Sequence, residues 1–322
     1  MKAIICPSYG SPSVLQLQDV DKPLPREDEV LIKVRAASVK PLDWHMMRGS
    51  PHFVRLVAGL LRPKDKRTGV DVAGQVEAVG GKVTQFKPGD EVFGCCKGAF
   101  AEYACAAAST VALKPANLTF EQAAAVPVAA FTALQGLRDK GKIQPGHKVL
   151  INGAAGGVGT FAVQIAKSFG AQVTGVCSTR NVEMVRSLGA DHVIDYTGKD
   201  FTQNAQTYDL LIDCIGNHSL SACRRVLHPK GTYVVVGSNA RGLLGPMARL
   251  LSAILLSRFV SQNLVGFIAQ ANKEDLNLLR ELILAGKITP VIDRSYSLKK
   301  VPEAIRYLET GHAQGKVAIT LG

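Results

Sequence analysis

The sequence has few aromatic residues, and its cysteines lack the spacing of a disulfide framework. Aromatic residues make up 6% of the chain and form no cluster with basic residues, so we expect no nucleic-acid partner despite a net charge of +12. That charge favours anionic ligands or acidic membrane surfaces without selecting one of them. The seven cysteines include no Cys-x-x-Cys pair. We interpret them as buried thiols.

We expect neither a signal peptide at the N-terminus nor a membrane span in the segment 246–260. Residues 1–18 have no apolar core and no small-residue cleavage site, so we expect a cytoplasmic protein. In the segment 246–260, eight residues separate Arg249 from Arg258, whereas a membrane span needs about 20. We expect a helix that lines an apolar substrate pocket. The alternative is peripheral membrane contact, helped by the basic run at residues 55–67.

The 322 residues are enough for two domains. Near residue 120 the sequence changes from short β-rich runs to a helical pattern. Residues 1–121 contain short β-rich runs separated by Gly, Pro and Asp, which indicates a compact β domain. Thr119 and Gln122 then have the spacing of a helix capping box. From Lys148 onward, apolar strands alternate with helical segments. This alternation predicts an α/β, doubly wound parallel sheet of the Rossmann type in residues 122–287.

A glycine-rich segment lies between the first strand and the first helix of that region. In NGAAGGVG, Ala154, Gly156 and Gly159 form an A-x-G-x-x-G pattern that encloses Gly157 and Val158. Glycines there permit a tight turn, and the N–H groups of the helix N-terminus can bind a pyrophosphate. The segment therefore predicts a dinucleotide site.

The end of the next strand indicates which dinucleotide binds. An NAD-binding fold carries an acidic residue there for the ribose hydroxyls, whereas this chain has Ser178, Thr179 and Arg180. Hydroxyl groups and a guanidinium can bind a 2′-phosphate, which a carboxylate would repel. We therefore expect NADPH as the cofactor. The alternative is that Arg180 is a solvated residue and the cofactor choice is relaxed.

Ordered motifs along almost the whole chain resemble those of the medium-chain dehydrogenase/reductase superfamily. They are GVDVAGQVEAVGGKVTQFKPGDEVFG, GAFAEYA, VPVAAFTALQGL, NGAAGGVG and QGKVAITL. Within it, the chain is most similar to the zinc-free quinone oxidoreductase branch, especially the group with the chloroplast-envelope quinone oxidoreductase homologue and the reticulon-4-interacting protein. This resemblance implies a GroES-like β domain to which residues 288–322 return, an active site in the cleft between the two domains, and a homodimer.

The resemblance also bears on metal and substrate. Zinc enzymes of the superfamily bind the metal through a Cys and a His, where this chain has Lys40 and Val70. Neither side chain suits zinc, and the scattered His45, His52, Cys95 and Cys96 lack ligand spacing, so we expect no metal. Without a Lewis acid, a small lipophilic substrate that is already electrophilic fits best, such as a quinone or an α,β-unsaturated carbonyl.

Further site residues follow from the resemblance. Relatives carry an Asn-x-x-Asp signature beside the nicotinamide, and Lys40 and Asp43 stand there as candidate catalytic residues. Lys40 could donate a hydrogen bond or a proton to the substrate oxygen, or it could face solvent or pair with Asp43. Cofactor contacts are expected from Thr132, Tyr196, Ile215, Gly216, Phe267 and Lys316.

Two other functions stay open at this point. Because Lys40 alters the site that faces the nicotinamide, the chain could be an NADPH-binding regulatory or scaffold protein with vestigial catalysis. It could also be an alcohol dehydrogenase that works without zinc. An assay with enones, quinones and small alcohols distinguishes the three.

Overall fold

A computed structural model describes residues 1–51, 54–203, 205–237, 252, 255–257 and 260–321. The described chain divides into two compact units. Unit 1 comprises residues 1–128 and 270–322, and unit 2 comprises residues 129–269. The segment 246–260, for which we expect a pocket-lining or membrane-contacting helix, lies largely outside the described residues. None of the helices in the described ranges is long and apolar enough to cross a membrane.

Strands and α-helices are numbered separately, each in chain order. The strands are β1 (Lys2–Ile5), β2 (Gln16–Asp19), β3 (Glu29–Val39), β4 (Asp71–Val79), β5 (Glu91–Cys95), β6 (Tyr103–Ala107), β7 (Val111–Leu113), β8 (Lys148–Asn152), β9 (Gln172–Cys177), β10 (His192–Asp195), β11 (Tyr208–Asp213), β12 (Leu227–Val235), β13 (Asn263–Gly266), β14 (Ile292–Ser297) and β15 (Lys316–Thr320). The α-helices are α1 (Pro41–Arg48), α2 (Val54–Ala58), α3 (Phe120–Ala125), α4 (Pro127–Gln135), α5 (Gly157–Ser168), α6 (Val182–Ser187), α7 (Leu220–Arg225), α8 (Lys273–Leu284) and α9 (Val301–Glu309).

Unit 2 contains a six-stranded parallel sheet in the order β10-β9-β8-β11-β12-β13. Counted from β8, this is the Rossmann order 3-2-1-4-5-6, in which the direction of winding reverses between the first and fourth strands. Its central strands are apolar on both faces, and Val149, Leu150 and Ile151 are fully buried, as a sheet covered by helices requires. The expected doubly wound sheet is confirmed.

Unit 1 contains a mainly antiparallel β sheet, as expected of a GroES-like domain. The sheet has the strand order β14-β15-β3-β4-β5-β7, and β6 also pairs with β3. The strand β15, near the end of the chain, pairs antiparallel with β3 through Val317 and Val39. The C-terminal residues therefore return to the N-terminal β unit. The core of this unit combines side chains from both parts, including Ile32, Val72 and Ile305.

The borders of the compact units differ from the predicted domain boundaries. The change in sequence pattern predicts a border at 121/122 and the family resemblance implies one at 287/288, whereas the compact units divide after Val128 and before Gln270. Helix α3, whose capping box at Thr119 and Gln122 forms as predicted, packs against β3, β4 and β15 of unit 1. Helix α8 packs against β7 of the same unit. Both helices therefore belong to unit 1, although their sequence patterns resemble those of the α/β region.

Candidate cofactor site and buried charge cluster

The glycine-rich segment forms the strand–turn–helix geometry that it predicts. Strand β8 ends at Asn152, and α5 begins at Gly157 with Gly156 as the N-cap residue. Strand β8 occupies the position in the sheet where the winding reverses, which is where α/β sheets bind ligands beyond the carboxyl ends of their strands. The first N–H groups of α5 have no partner within their own helix, and together with the helix dipole they favour an anion.

Three glycines of this turn have different roles. Gly153 has a φ of +85°, and a Cβ there would lie 2.7 Å from Ile215. At Gly159, a Cβ would lie 2.1 Å from the carbonyl oxygen of Gly153, so the helix could not approach the turn as closely. At Gly156, the nearest atom to a Cβ would be that same oxygen, at 3.5 Å. Gly153 and Gly159 thus shape the turn, and Gly156 keeps open the space that a side chain would fill at the helix N-terminus.

The sequence prediction included Gly156 and Gly159 but missed Gly153. The motif frame placed the first small residue at Ala154, which is fully buried, whereas the positive φ falls one position earlier. The Asn-Gly pair that precedes Ala154 was the signal in the sequence, because Gly commonly adopts a positive φ in such a turn.

A buried carboxylate organises the neighbouring turn of unit 2. Asp213 ends β11 and is fully buried. Its Oδ1 accepts hydrogen bonds from Asn152 Nδ2 at 2.8 Å and from the backbone N–H groups of Ile215 and Gly216 at 3.2 and 2.8 Å. Gly216 has a φ of +71°. The structure therefore places the predicted residues Ile215 and Gly216 beside the glycine-rich turn, and Asp213 is a positioning residue that the sequence reasoning missed.

An acidic side chain from the next strand lies beside the predicted 2′-phosphate site at Ser178, Thr179 and Arg180. Ser178 and Thr179 follow β9, and β10 runs parallel beside it with Asp195 opposite Cys177. The Thr179 hydroxyl donates to Asp195 at 2.6 Å, and the Tyr196 N–H donates to the carbonyl oxygen of Cys177. The hydrogen bond from Thr179 holds the pKa of Asp195 below its usual value, with further hydrogen bonds from Thr197, so the carboxylate is ionised at neutral pH.

The carboxylate of Asp195 therefore weakens the prediction from sequence that the chain prefers NADPH. Arg180 and the 57% exposed Tyr196 directly follow the same two strands, but Asp195 adds an acidic group to the predicted 2′-phosphate site. The sequence could not reveal this contact, because it depends on the register between two parallel strands.

In unit 1, four charged side chains meet in a buried cluster. Asp71 begins β4, Lys316 begins β15, and Lys40 directly follows β3. The Nζ atom of Lys40 lies 3.5 Å from Asp71 Oδ2 and 3.7 Å from Asp43 Oδ2. The Nζ atom of Lys316 lies 3.5 Å from the same oxygen of Asp71. The four side chains are at most 5% exposed, and we call them the buried charge cluster.

Hydrogen bonds fix the two carboxylates of the buried charge cluster. Asp43 lies in the first turn of α1 and accepts the backbone N–H of Lys40 at 2.9 Å. Asp71 accepts the Ser38 hydroxyl at 2.9 Å and the backbone N–H of Val128 at 3.1 Å. The Nζ atom of Lys40 has ion-pair partners but no hydrogen-bond acceptor within the described residues. This ammonium therefore retains hydrogen-bonding capacity.

Burial and neighbouring charges shift the pKa values within the cluster in different directions. Burial lowers the pKa of Lys40, but Asp43 and Asp71 outweigh it and hold the pKa above its usual value. For Lys316, burial dominates and lowers the pKa, assisted by the positive charge of Lys40. Burial raises the pKa of Asp43. Lys40 is therefore a stable cation, able to donate a hydrogen bond but poorly suited to act as a base.

The remaining predicted residues are placed as follows. Thr132 lies half-buried in α4, and Phe267 follows β13 with its ring near Gly136. Both belong to unit 2, with Val158 in the first turn of α5. The predicted cofactor residue Lys316 belongs instead to the buried charge cluster of unit 1. Its contact with cofactor stays a prediction.

The structure describes three of the four residues that were considered as metal ligands, and His52 lies outside the described residues. Among the described residues, no group of three His, Cys, Asp or Glu side chains is arranged to hold a metal ion. Cys95 lies opposite Asp71 in the β4–β5 ladder. Burial raises the pKa of Cys95 and raises that of Cys96 to about 12, so both are thiols at neutral pH. The Nδ1 atom of His45 hydrogen-bonds to the carbonyl oxygen of Ser50.

Comparisons with known proteins agree with this architecture. Residues 26–116 match the family model described as alcohol dehydrogenase GroES-like domain, and residues 188–319 match the one described as zinc-binding dehydrogenase. The chain is 37% identical to the 2-methylene-furan-3-one reductase of Solanum lycopersicum, over 99% of this chain and 79% of that protein. It is 34% identical to the mitochondrial NAD(P)H oxidoreductase RTN4IP1 of Bos taurus, over 100% of this chain and 89% of that protein.

A solved structure is also similar to this chain over its whole length. The quinone oxidoreductase of Coxiella burnetii has a TM-score of 0.88 and 32% identity to this chain, over 100% of this chain and 99% of that one. The similarity spans both units, and the resemblance inferred from the motifs is confirmed. The chain belongs to the medium-chain dehydrogenase/reductase superfamily, among the NAD(P)H-dependent oxidoreductases of its quinone oxidoreductase and enone reductase branch.

Proposed function

We propose that this chain is an NADPH-dependent reductase that transfers hydride to quinones or to the C=C bond of α,β-unsaturated carbonyls without using zinc. The observation that carries the proposal is the open space at Gly156, at the N-terminus of α5 and beside the reversal point of the parallel sheet. The names of the relatives supply the reaction class, since they include a furanone reductase and a quinone oxidoreductase.

The residues of unit 2 fit a dinucleotide. The N–H groups at Gly157, Val158 and Gly159 face the space in front of α5 and can bind a pyrophosphate. A buried Asp213 fixes the turn through Ile215 and Gly216, so this part of the site is preorganised. When bound, NADPH supplies the hydride, and the protein supplies binding and orientation.

NADPH is proposed over NADH because Arg180 offers a counter-charge and Ser178 and Tyr196 offer hydroxyl groups. A guanidinium can bind a phosphate through two parallel hydrogen bonds. Asp195 opposes this preference by its charge, although the Thr179 and Thr197 hydroxyls bind the carboxylate and partly offset it. We therefore expect a preference for NADPH that is real but smaller than Arg180 alone would give.

The proposal that zinc is not needed rests on side-chain chemistry. Lys40 and Val70 stand where the zinc enzymes of the superfamily have ligands. The ammonium of Lys40 keeps its proton because two carboxylates raise its pKa, and a protonated amine does not bind a metal. A quinone or an enone needs a hydrogen-bond donor for the oxygen that becomes negative during hydride transfer. We propose Lys40 Nζ as that donor and Asp43 as the residue that holds it.

The test is an assay of the purified full chain with NADPH or NADH and a panel of enones, quinones and small alcohols. The proposal requires loss of the reduced-nicotinamide absorbance with enones or quinones, faster with NADPH, and no loss of activity on treatment with a chelator. Cofactor binding without turnover would support a regulatory protein instead. Reduction of NADP⁺ with alcohols would support an alcohol dehydrogenase, and stoichiometric zinc with chelator-sensitive activity would contradict the proposal.

Several expectations remain proposals from the sequence. These are a small lipophilic substrate, a homodimer, a cytoplasmic location and the lack of a nucleic-acid partner. Longer alkyl chains along a series of enones should improve kcat/KM if the pocket is apolar, because each buried methylene contributes about 0.8 kcal/mol.

A further inference from the structure

We propose that the loop at residues 59–64, together with α2, is a docking surface for membranes that contain anionic lipid. We call this surface the leucine loop. It presents three large apolar side chains to solvent within six residues: Leu56, Leu60 and Leu61 are 75%, 68% and 89% exposed. Such a group, when bordered by charges, is typical of interaction surfaces rather than of ordinary solvated surface.

Hydrogen bonds anchor the loop to unit 1 and fix the segment that carries Leu60 and Leu61. The backbone N–H of Lys64 donates to the carbonyl oxygen of Ala58 at 2.8 Å and closes the loop at its base. The Tyr9 hydroxyl donates to the carbonyl oxygen of Gly59. Arg55 stacks over the Tyr9 ring and donates to the carbonyl oxygen of Gly49. The exposure of Leu60 and Leu61 is therefore a property of an anchored loop.

Cations surround the leucines on the same short segment. Residues 55–67 contain Arg55, Arg62, Lys64, Lys66 and Arg67 but only one acidic residue, Asp65. Asp65 is paired with Arg67 at 3.2 Å. The exposed side chains of Arg62, Lys64 and Lys66 form no ion pair with another described residue. Three cations are therefore available to lipid headgroups.

An anionic bilayer surface can bind both the exposed leucines and the cations that surround them. Apolar side chains can insert at the boundary between headgroups and acyl chains, while Lys and Arg bind the negative headgroups. A purely apolar protein partner would leave the three cations without counter-charges. Anionic lipid supplies both the apolar layer and the counter-charges, which makes it the occupant that this charge pattern favours.

The test measures co-sedimentation of the purified full chain with vesicles. One set contains phosphatidylcholine alone, and the other contains phosphatidylcholine mixed with phosphatidylserine. We expect binding to the mixed vesicles, weakened by added salt because exposed charges are screened. The double variant Leu60→Ser/Leu61→Ser should abolish binding. Each of Lys64→Gln and Lys66→Gln should weaken it about fivefold, the equivalent of about 1 kcal/mol per charge.

Matched controls separate the leucine loop from general effects of charge and hydropathy. Leu24→Ser removes a leucine that is 86% exposed elsewhere in unit 1, and Lys33→Gln removes an exposed charge from β3. Both controls should bind like the parent. Thermal unfolding midpoints show whether each variant is folded.

The other outcomes overturn the proposal. Equal binding to both kinds of vesicle would contradict a role for the cations, and unchanged binding of the leucine variant would place the contact elsewhere. If the parent fails to bind vesicles but forms a dimer that Leu60→Ser/Leu61→Ser dissociates, the surface belongs to a second copy of the chain. The assay requires no cofactor or turnover, so its result is independent of the proposed reductase activity.

Discussion

The Tyr233 hydroxyl donates a 2.6 Å hydrogen bond to Oδ2 of Asp213, and both side chains are fully buried. Tyr233 lies on β12 and Asp213 at the end of β11, while the other carboxylate oxygen holds Asn152 of β8 and the turn at Gly216. One carboxylate thus joins three neighbouring strand ends at the point where a cofactor is proposed to bind.

Tyr233→Phe should remove a donor from this buried carboxylate without changing the ring. We expect the free energy of unfolding to fall by about 1.5–3 kcal/mol, the range for a hydrogen bond to a charged group. Urea unfolding measures the loss. Tyr196→Phe is the control, because that tyrosine is 57% exposed, and its stability should match the parent. Equal stabilities of both variants and the parent would contradict the role assigned to Asp213.

Alanine at Gly156 and at Gly159 should have opposite consequences. At Gly159 the new Cβ meets backbone atoms at 2.1 and 2.8 Å, so we expect a loss of about 1–3 kcal/mol in stability, as for other overpacked sites. At Gly156 the Cβ meets only one atom at 3.5 Å, and the fold should be unaffected. The same methyl group obstructs the helix N-terminus, and NADPH should bind at least about tenfold more weakly.

Calorimetric or fluorescence titration with NADPH, combined with thermal unfolding, measures both effects. Gly156→Ala with parental stability and parental affinity would show that the pyrophosphate does not bind at this turn.

Charge at the ends of β9 and β10 should set the cofactor preference. Arg180→Ala should weaken NADPH roughly tenfold to a hundredfold while leaving NADH nearly unchanged, because one charge-assisted contact is lost. Tyr196→Phe should act in the same direction with a smaller effect. Asp195→Asn removes a repulsive charge and should strengthen NADPH relative to NADH. Dissociation constants of both cofactors for each variant test this, and an equal effect on the two cofactors would rule out a 2′-phosphate site here.

The buried charge cluster predicts non-additive stabilities. Lys40→Met leaves the carboxylate of Asp43 without its nearest cation, and we expect a loss of about 3–5 kcal/mol in the free energy of unfolding. Adding Asp43→Asn removes the uncompensated charge, so the double variant should lose less than the sum of the single variants. Denaturant unfolding of the three variants completes the cycle. Additive losses would mean that the two side chains do not interact.

Thiol reactivity should depend steeply on pH. Burial raises the pKa of Cys105 to about 11 and that of Cys96 to about 12, and only the thiolate reacts with an alkylating reagent. Labelling of half-buried Cys105 in the folded protein should be slow at neutral pH and accelerate about tenfold per pH unit up to its pKa. Fully unfolded protein should label at all seven cysteines. Mass spectrometry after timed alkylation gives the rates, and a plateau near pH 8 would contradict the raised pKa.

Local sequence patterns were sufficient to predict structural features that depend on a few consecutive residues. NGAAGGVG predicted the turn, the helix start at Gly157 and the open N-terminus, because glycine conformations and the ends of helices are determined within a few residues. The capping box at Thr119 and Gln122 formed for the same reason. Alternation of strands and helices predicted the parallel sheet, since connections of that length permit little else.

Contacts between distant parts of the chain could not be predicted in this way. Asp71 and Lys316 are 245 positions apart, and they meet because β15 and β4 pair on opposite sides of β3. Likewise, Asp195 reaches Thr179 through strand register. The sequence by itself determined the fold class and the glycine-rich turn, because these follow from periodicity and short motifs, and its ordered motifs carried the resemblance to the superfamily. Tertiary structure decided which charges face one another, because strand pairing and burial, which no local pattern encodes, set their distances and pKa values.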